Sequence, residues 1–239
     1  MMKLFLPKQH GAWAMLIIPF WLGAAATGFV WEHIPFFLGW LSLYLATYPM
    51  LLLFKKKKIS FYMKWTIIYM VPAVLLFLIP LFSRPSIVLF GVAMIPFFII
   101  NAYFSAKNRE RALLNDFSAI FAFAIAGLAS SYLPNGTLTA EAITVFFASI
   151  LFFTGSTFYV KTMIREKKNI NFKWVSWVFH AFVLLLWLLL GEPIIALAFV
   201  PSLWRAVYFY GKPFGIMKLG IYEIANASIL FIITIISIV

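Results

Sequence analysis

Apolar residues fill this chain in long blocks, and polar residues are confined to the short gaps between them. The blocks are residues 11–30, 34–54, 62–82, 87–106, 117–133, 138–164, 174–190, 194–209 and 219–239. Each lies near the ~20 apolar residues that cross a hydrocarbon layer as a helix. The gaps carry the punctuation: Trp31-Glu32-His33, Lys55 through Lys58, Ser83-Arg84-Pro85-Ser86, Pro134-Asn135-Gly136, Gly191-Glu192-Pro193 and Gly211-Lys212-Pro213-Phe214-Gly215. Pro-Asn-Gly is a turn signature. Pro19, Pro72, Pro80, Pro96 and Pro201 fall inside blocks, where proline kinks a membrane helix. The pattern predicts an all-α fold: a polytopic membrane bundle of nine transmembrane helices, with residues 1–239 forming one integral-membrane domain.

Charge then orients the bundle. Of 19 lysines and arginines, only Arg84 lies in a gap that follows an odd-numbered block. All the others lie in the N-terminal tail, the gaps after even-numbered blocks, or the helix ends beside them. The positive-inside rule therefore predicts a cytoplasmic N-terminus and a C-terminus outside. Apolar residues make up 64% of the chain and charged residues 11%, against about half and a quarter in a soluble domain. The net charge of +12 is dispersed in short hinges. That pattern fits membrane topogenesis and argues against nucleic acid as a partner. Cysteine is absent, which excludes disulfides and thiolate metal sites. Lys3, Lys8 and the run to Ala24-Ala25-Ala26 resemble a signal peptide, but the apolar run is long enough for a full span. Richness in Lys, Ile and Phe with compact turns suggests a bacterial plasma membrane, with membrane lipids as the surrounding partners.

Candidate chemistry gathers at two hinges. The most polar passage is 101–118. Read as a helix, it puts Asn101, Ser105, Asn108 and Arg109 on one face. Asn115 and Asp116 join that face if the helix is unbroken; otherwise one of them caps the fifth span. Arg109-Glu110-Arg111 is either a solvated, topology-setting turn or part of a cavity open to the cytoplasm, with Asn101 needing an internal partner. Near the end of the sixth span, Thr154, Thr157, Lys161, Arg165 and Lys168 form a stripe suited to a phosphate or diphosphate. Alternatively, Lys161 snorkels to the surface. Tyr159 and Glu166 share another face as a hydrogen-bonding pair. His10 opens the first span as a cavity residue or an interfacial anchor.

Deeper in the membrane, His180 sits between Trp177 and Trp187. It is either a neutral imidazole satisfied by a carbonyl and a hydroxyl, or a ligand or proton site. Glu223, with Asn226 one turn on, is a candidate intramembrane carboxylate that pairs with Arg205 or Lys218. Glu141 and Glu192 are placed as helix-start residues. The sequence shows no metal constellation, phosphate-binding glycine loop, serine–histidine motif or internal duplication, and names no cofactor.

Pro7-Lys8-Gln9-His10-Gly11-Ala12-Trp13-Ala14-Met15-Leu16, the hinge 101–116, and Tyr159-Val160-Lys161 through Arg165-Glu166 resemble the YwiC-like family of bacterial membrane proteins along most of the chain. That resemblance implies no particular activity. Nine spans with polar cytoplasmic hinges, and Pro19 followed by Leu22-Gly23, are also similar to the UbiA-type intramembrane prenyltransferases. This second resemblance implies prenyl transfer from a magnesium diphosphate held by two aspartate-rich motifs. Here the corresponding helices end in Lys55 to Lys58 and in Lys161 to Lys168. The cytoplasmic side offers only Glu110, Asp116, Glu166 and Glu223, too few hard oxygen ligands for two magnesium ions. The resemblance thus implies the fold without that catalysis. Arg109, Lys161 and Arg165 would instead meet an isoprenoid phosphate or similar amphiphilic anion directly, with His10, Asn101 or Tyr159 orienting an acceptor. Two other functions stay open: a small-solute or proton-coupled transporter using His180 and Glu223, and a non-catalytic membrane assembly partner.

Overall fold

The computed structural model describes residues 4–7 and 11–239. Among these, each apolar block becomes one helix: α1 (Gly11–Thr27), α2 (His33–Leu53), α3 (Ile59–Ser83), α4 (Val88–Ala106), α5 (Leu113–Asn135), α6 (Ala140–Ile164), α7 (Ile170–Leu189), α8 (Pro193–Tyr208) and α9 (Ile216–Ile238). A 3-10 turn, Pro85–Ile87, leads into α4. Seven helices have the length and apolarity of full spans. The other two, α1 and α8, have 17 and 16 residues, or about 25 Å at ~1.5 Å per residue.

Local chemistry sets the boundaries. Lys56 and Lys58 adopt φ of 56° and 49°, which breaks the chain between α2 and α3. Gly136, at φ 70°, closes α5 by donating its N–H to Tyr132 O at 2.8 Å, the left-handed cap that glycine adopts without strain. The Thr139 and Asn169 side chains accept the backbone N–H groups of Ala142 and Phe172, capping α6 and α7.

Three expectations about the hinges are corrected. Helix α5 starts one turn earlier than Asn115 or Asp116, with extended Ala112 as its N-cap. Leu113 and Leu114 already continue the helix, so Asn115 instead reaches back to donate to Glu110 O at 2.7 Å. Helix α4 stops at Ala106 and Asn108 turns to φ 54°, so the face begun by Asn101 does not extend to Asn108 and Arg109. Helix α6 stops at Ile164, which leaves Arg165 and Lys168 outside the helical stripe of Lys161.

The helices alternate in direction. At one end, Ser105 donates to Leu51 O, Lys55 pairs with Glu110, and Lys161 donates to Arg111 O, joining the last turns of α2, α4 and α6 to the start of α5. At the other end, His33 contacts Ser130 O at 2.9 Å and Arg84 donates to Pro134 O at 2.7 Å. The first end carries the basic hinges and faces the cytoplasm by the positive-inside rule.

Helices α1 and α5 belong to two packed cores. Leu16 and Phe20 of α1 and Phe123 of α5 pack with Phe36, Trp40 and Tyr44 of α2. Ile18 and Leu22 of α1 and Ile120 of α5 pack with Phe152, Val183, Phe199 and Leu230 of α6 to α9. The two central helices cross closely. A Cβ on Gly23 would lie 2.1 Å from Gly127 O, and one on Gly127 would lie 2.6 Å from Pro19 O. Between helices in lipid, such close approach and interhelical polar contacts replace the hydrophobic drive that water would supply.

Candidate functional site

Helix α6 carries two polar clusters toward the cytoplasmic end. The first is at the mouth. Lys161 is only 8% exposed. Its Nζ lies 2.9 Å from Asp116 Oδ2 and 2.6 Å from Arg111 O. The snorkelling expected of this lysine does not occur, because an acceptor pair at the start of α5 holds the ammonium inside. Arg165, the first residue beyond α6, is exposed beside the same group. Burial and the neighbouring Arg111 lower its proton affinity, while Asp116 opposes them. Close by, Lys55 bridges to Glu110 across the hinges. Partial burial would raise the Glu110 carboxyl, but Lys55, its backbone and Arg111 hold it below the ordinary carboxylate value.

The second cluster lies deeper, between α6, α7, α8 and α9. Arg205, in the last turn of α8, is 3% exposed and ion-paired with Glu223 of α9. The other carboxylate oxygen of Glu223 accepts from Ser156 of α6. The guanidinium carbon of Arg205 lies 4.5 Å from the centre of the Tyr159 ring, a cation–π contact. Asn226 donates to Ser202 Oγ at 2.9 Å, joining α9 to α8. Trp177 Nε1 donates to Ala206 O at 2.9 Å, joining α7 to α8.

His180 completes the inner cluster. Its Nδ1 lies 2.6 Å from Ser176 O. A carbonyl only accepts, so Nδ1 carries the proton and Nε2 of the neutral ring is bare. The imidazole fits because α6 has glycine opposite it: a Cβ on Gly155 would stand 3.1 Å from His180 Nε2. Several sealed polar atoms have no hydrogen-bond partner: Tyr159 Oη, Arg205 Nε and Nη2, His180 Nε2 and Asn226 Oδ1.

The residues expected from sequence thus separate. Asp116, Lys161 and Arg165 come together at the mouth. Tyr159, His180, Glu223 and Asn226 line the inner cluster. Asn101 satisfies itself by donating to Phe97 O at 3.0 Å within α4. Arg109 is exposed. Glu166 accepts from Asn169 at 2.9 Å rather than from Tyr159, because α6 has ended before it. His10 lies outside the described residues. The hydroxyl expected for His180 is not supplied; the carbonyl is.

Sequence reasoning used Arg205 only as a partner for Glu223 and passed over Ser156 and Ser202. An arginine within an apolar block was itself the available signal. Among the described residues, no group of three His, Asp or Glu side chains is placed to hold a metal ion. Chemically, the mouth offers a surplus of cations, and the inner cluster offers a guanidinium held between a carboxylate and an aromatic face.

The family model described as "YwiC-like protein" matches residues 6–131, which span α1 to most of α5. The chain is 47% identical over 226 residues to the uncharacterized protein YwiC of Bacillus subtilis (strain 168), covering 95% of each chain. It is 41% identical over 236 residues to an uncharacterized protein of Haemophilus influenzae, covering 99% of each. No solved structure matches it. These relatives extend the likeness beyond α5 through both polar clusters, and the chain belongs to the YwiC-like family of bacterial proteins.

Proposed function

We propose that this membrane protein binds an amphiphilic anion, such as an isoprenoid phosphate, from the cytoplasmic leaflet of the plasma membrane. The anionic group sits at the mouth between α5 and α6, and the tail lies along the Phe-rich helices in a UbiA-like bundle. One observation carries this reading. Lys161 and Arg165 flank Asp116, and Arg111 lies beside Arg165 and Glu110, so with Lys55 four cations meet two carboxylates, Asp116 and Glu110. The excess positive charge is carried by exposed Arg111 and Arg165 at the rim of the buried Lys161–Asp116 pair, where an anionic ligand would balance it. Arg109, exposed and away from this group, is not part of the proposed contact. The reading concerns binding: the aspartate-rich motifs of the prenyltransferases are missing, and no transfer step is assigned.

Native mass spectrometry of the gently purified protein tests it, comparing wild type with Arg111→Ala/Arg165→Ala. A phosphorylated isoprenoid or other defined anion that is retained by wild type and lost in the variant is the expected result. The same bulk lipid in both would overturn it. A second reading, a small-solute or proton-coupled transporter, draws support from the Arg205–Glu223 pair and the bare His180 Nε2 inside the bundle. It requires that cysteine probes placed beside His180 be labelled from either face of the membrane.

A further inference from the structure

Charged groups buried in a bilayer protein usually form closed sets, each donor meeting an acceptor. The set around Arg205 is open. Its Nη1 faces Glu223, but Nε and Nη2, the edge that grips two oxygens side by side, have no acceptor. The hydroxyl of Tyr159, on the ring beneath the guanidinium, donates to nothing. Tyr159 is 1% exposed and Arg205 3%, so bulk solvent does not reach these donors.

Glu223 is the resident anion, and it is less enclosed than Arg205 or Tyr159. Its side chain is 15% exposed, and it lies in the second turn of α9, near the cytoplasmic interface. Ser156 holds its other oxygen. If this carboxylate swings out, it uncovers Nη1 and the Ser156 hydroxyl besides Nε, Nη2 and the tyrosine hydroxyl. Five donors carried by α6 and α8 suit the three terminal oxygens of a phosphate monoester better than the two of a carboxylate.

We infer that Arg205, Tyr159 and Ser156 form a phosphate-monoester site between α6, α8 and α9, in which the Glu223 carboxylate is a built-in placeholder that an incoming ligand displaces. The inference rests on the anion-binding reading and moves the final anion contact from the mouth to Arg205. The mouth cations then act as the approach. The placeholder keeps the empty site electrically balanced. It also weakens binding, because only the fraction of molecules with Glu223 displaced is competent.

The test uses the full chain in neutral detergent. Its thermal unfolding is titrated with dodecyl phosphate, with inorganic phosphate, and with dodecanol as the uncharged control. Wild type is expected to be stabilised by a phosphate probe and not by dodecanol. Glu223→Gln keeps the shape and the Ser156 contact but removes the competing charge, so its apparent Kd is expected to fall on the order of tenfold. Tyr159→Phe, which changes only a hydroxyl, is expected to bind several-fold more weakly. Arg205→Gln/Glu223→Gln leaves the cluster neutral and is expected to lose binding.

A response to dodecyl phosphate alone assigns the site to a lipid phosphate, and an equal response to inorganic phosphate assigns it to a soluble one. Glu223→Gln binding no tighter than wild type, or the double variant still binding, overturns the inference. If Glu223→Gln does not fold, unchanged affinity in Tyr159→Phe overturns it instead. Loss of binding in Arg111→Ala/Arg165→Ala with no response to Glu223→Gln removes this site and leaves the mouth reading standing. No response from any form removes both.

Discussion

Replacing Gly23 by alanine adds one methyl group where α1 crosses α5. That carbon would stand 2.1 Å from Gly127 O and 2.9 Å from Gly127 C. Ordinary contact begins near 3.4 Å, so the helices must part by roughly 1.3 Å. Both opposing atoms are helix backbone, and no rotamer change relieves them. Overpacking of this kind costs about 1–3 kcal/mol. A gap of about 1 Å along the rest of the crossing forfeits up to half of each dispersion contact. Alanine returns about 1 kcal/mol through helix propensity, and with the lost dispersion contacts the net loss is on the order of 1–2 kcal/mol. At ~2–4 °C per kcal/mol, the unfolding midpoint should fall by roughly 2–8 °C. Gly91→Ala on α4 is the control, since its Cβ would meet nothing within 4 Å. The assay is thermal unfolding in one detergent, followed by circular dichroism. If Gly23→Ala melts at or above wild type, as Gly91→Ala should, the α1–α5 crossing is not as close as described.

Other perturbations reach the polar clusters. Lys161→Met should destabilise by about 1–3 kcal/mol, less than a fully buried pair because Asp116 keeps 29% of its side-chain surface exposed. Adding Asp116→Asn should recover part of that loss in the same melting assay. Gly155→Ala should push His180 away from α6 and cost about 1 kcal/mol, seen as a lower midpoint. The Glu110 carboxyl is held below its unfolded value, so its contribution is present above that value and is lost as pH falls through the folded one. The pair is exposed enough that the difference between wild type and Glu110→Gln should be only about 0–1 kcal/mol at neutral pH. It should shrink as the buffer is taken below the ordinary glutamate value of about 4.3 and vanish once the pH is below the depressed folded one.

Helix number and order were legible because bilayer thickness imposes its length on every apolar block. The wide gap between Lys55 and the next block still hid the early start of α3 at Ile59, since amphiphilic residues such as Tyr62 and Lys64 tolerate either side of the interface. The end of α4 at Ala106 was legible, but the reading of the following hinge as a helix through Asn108 and Arg109 failed because Asn108 is compatible with a helix in sequence, and only its left-handed backbone shows the break. Glu223 and Arg205 were readable as partners, since each charge needs one within the membrane. Lys161 was not readable. Whether a long cation turns out or in depends on an acceptor fifty residues away, here Arg111 O. The Gly23–Gly127 crossing was equally hidden, because two glycines in separate blocks do not announce that they face each other.

Arg84 gives the bundle a schedule. Its side chain is satisfied by Leu133 O and Pro134 O at the far end of α5, 49 and 50 residues later in the chain. At ~5–20 residues per second, those carbonyls are made roughly 3–10 s after Arg84. The guanidinium therefore crosses the bilayer, at about 2.5–3.5 kcal/mol, before its acceptors exist. Helices α3 and α4, which flank it, are the two most apolar of the seven long spans. Their greasiness carries the charge across, and α5 locks it in place on arrival.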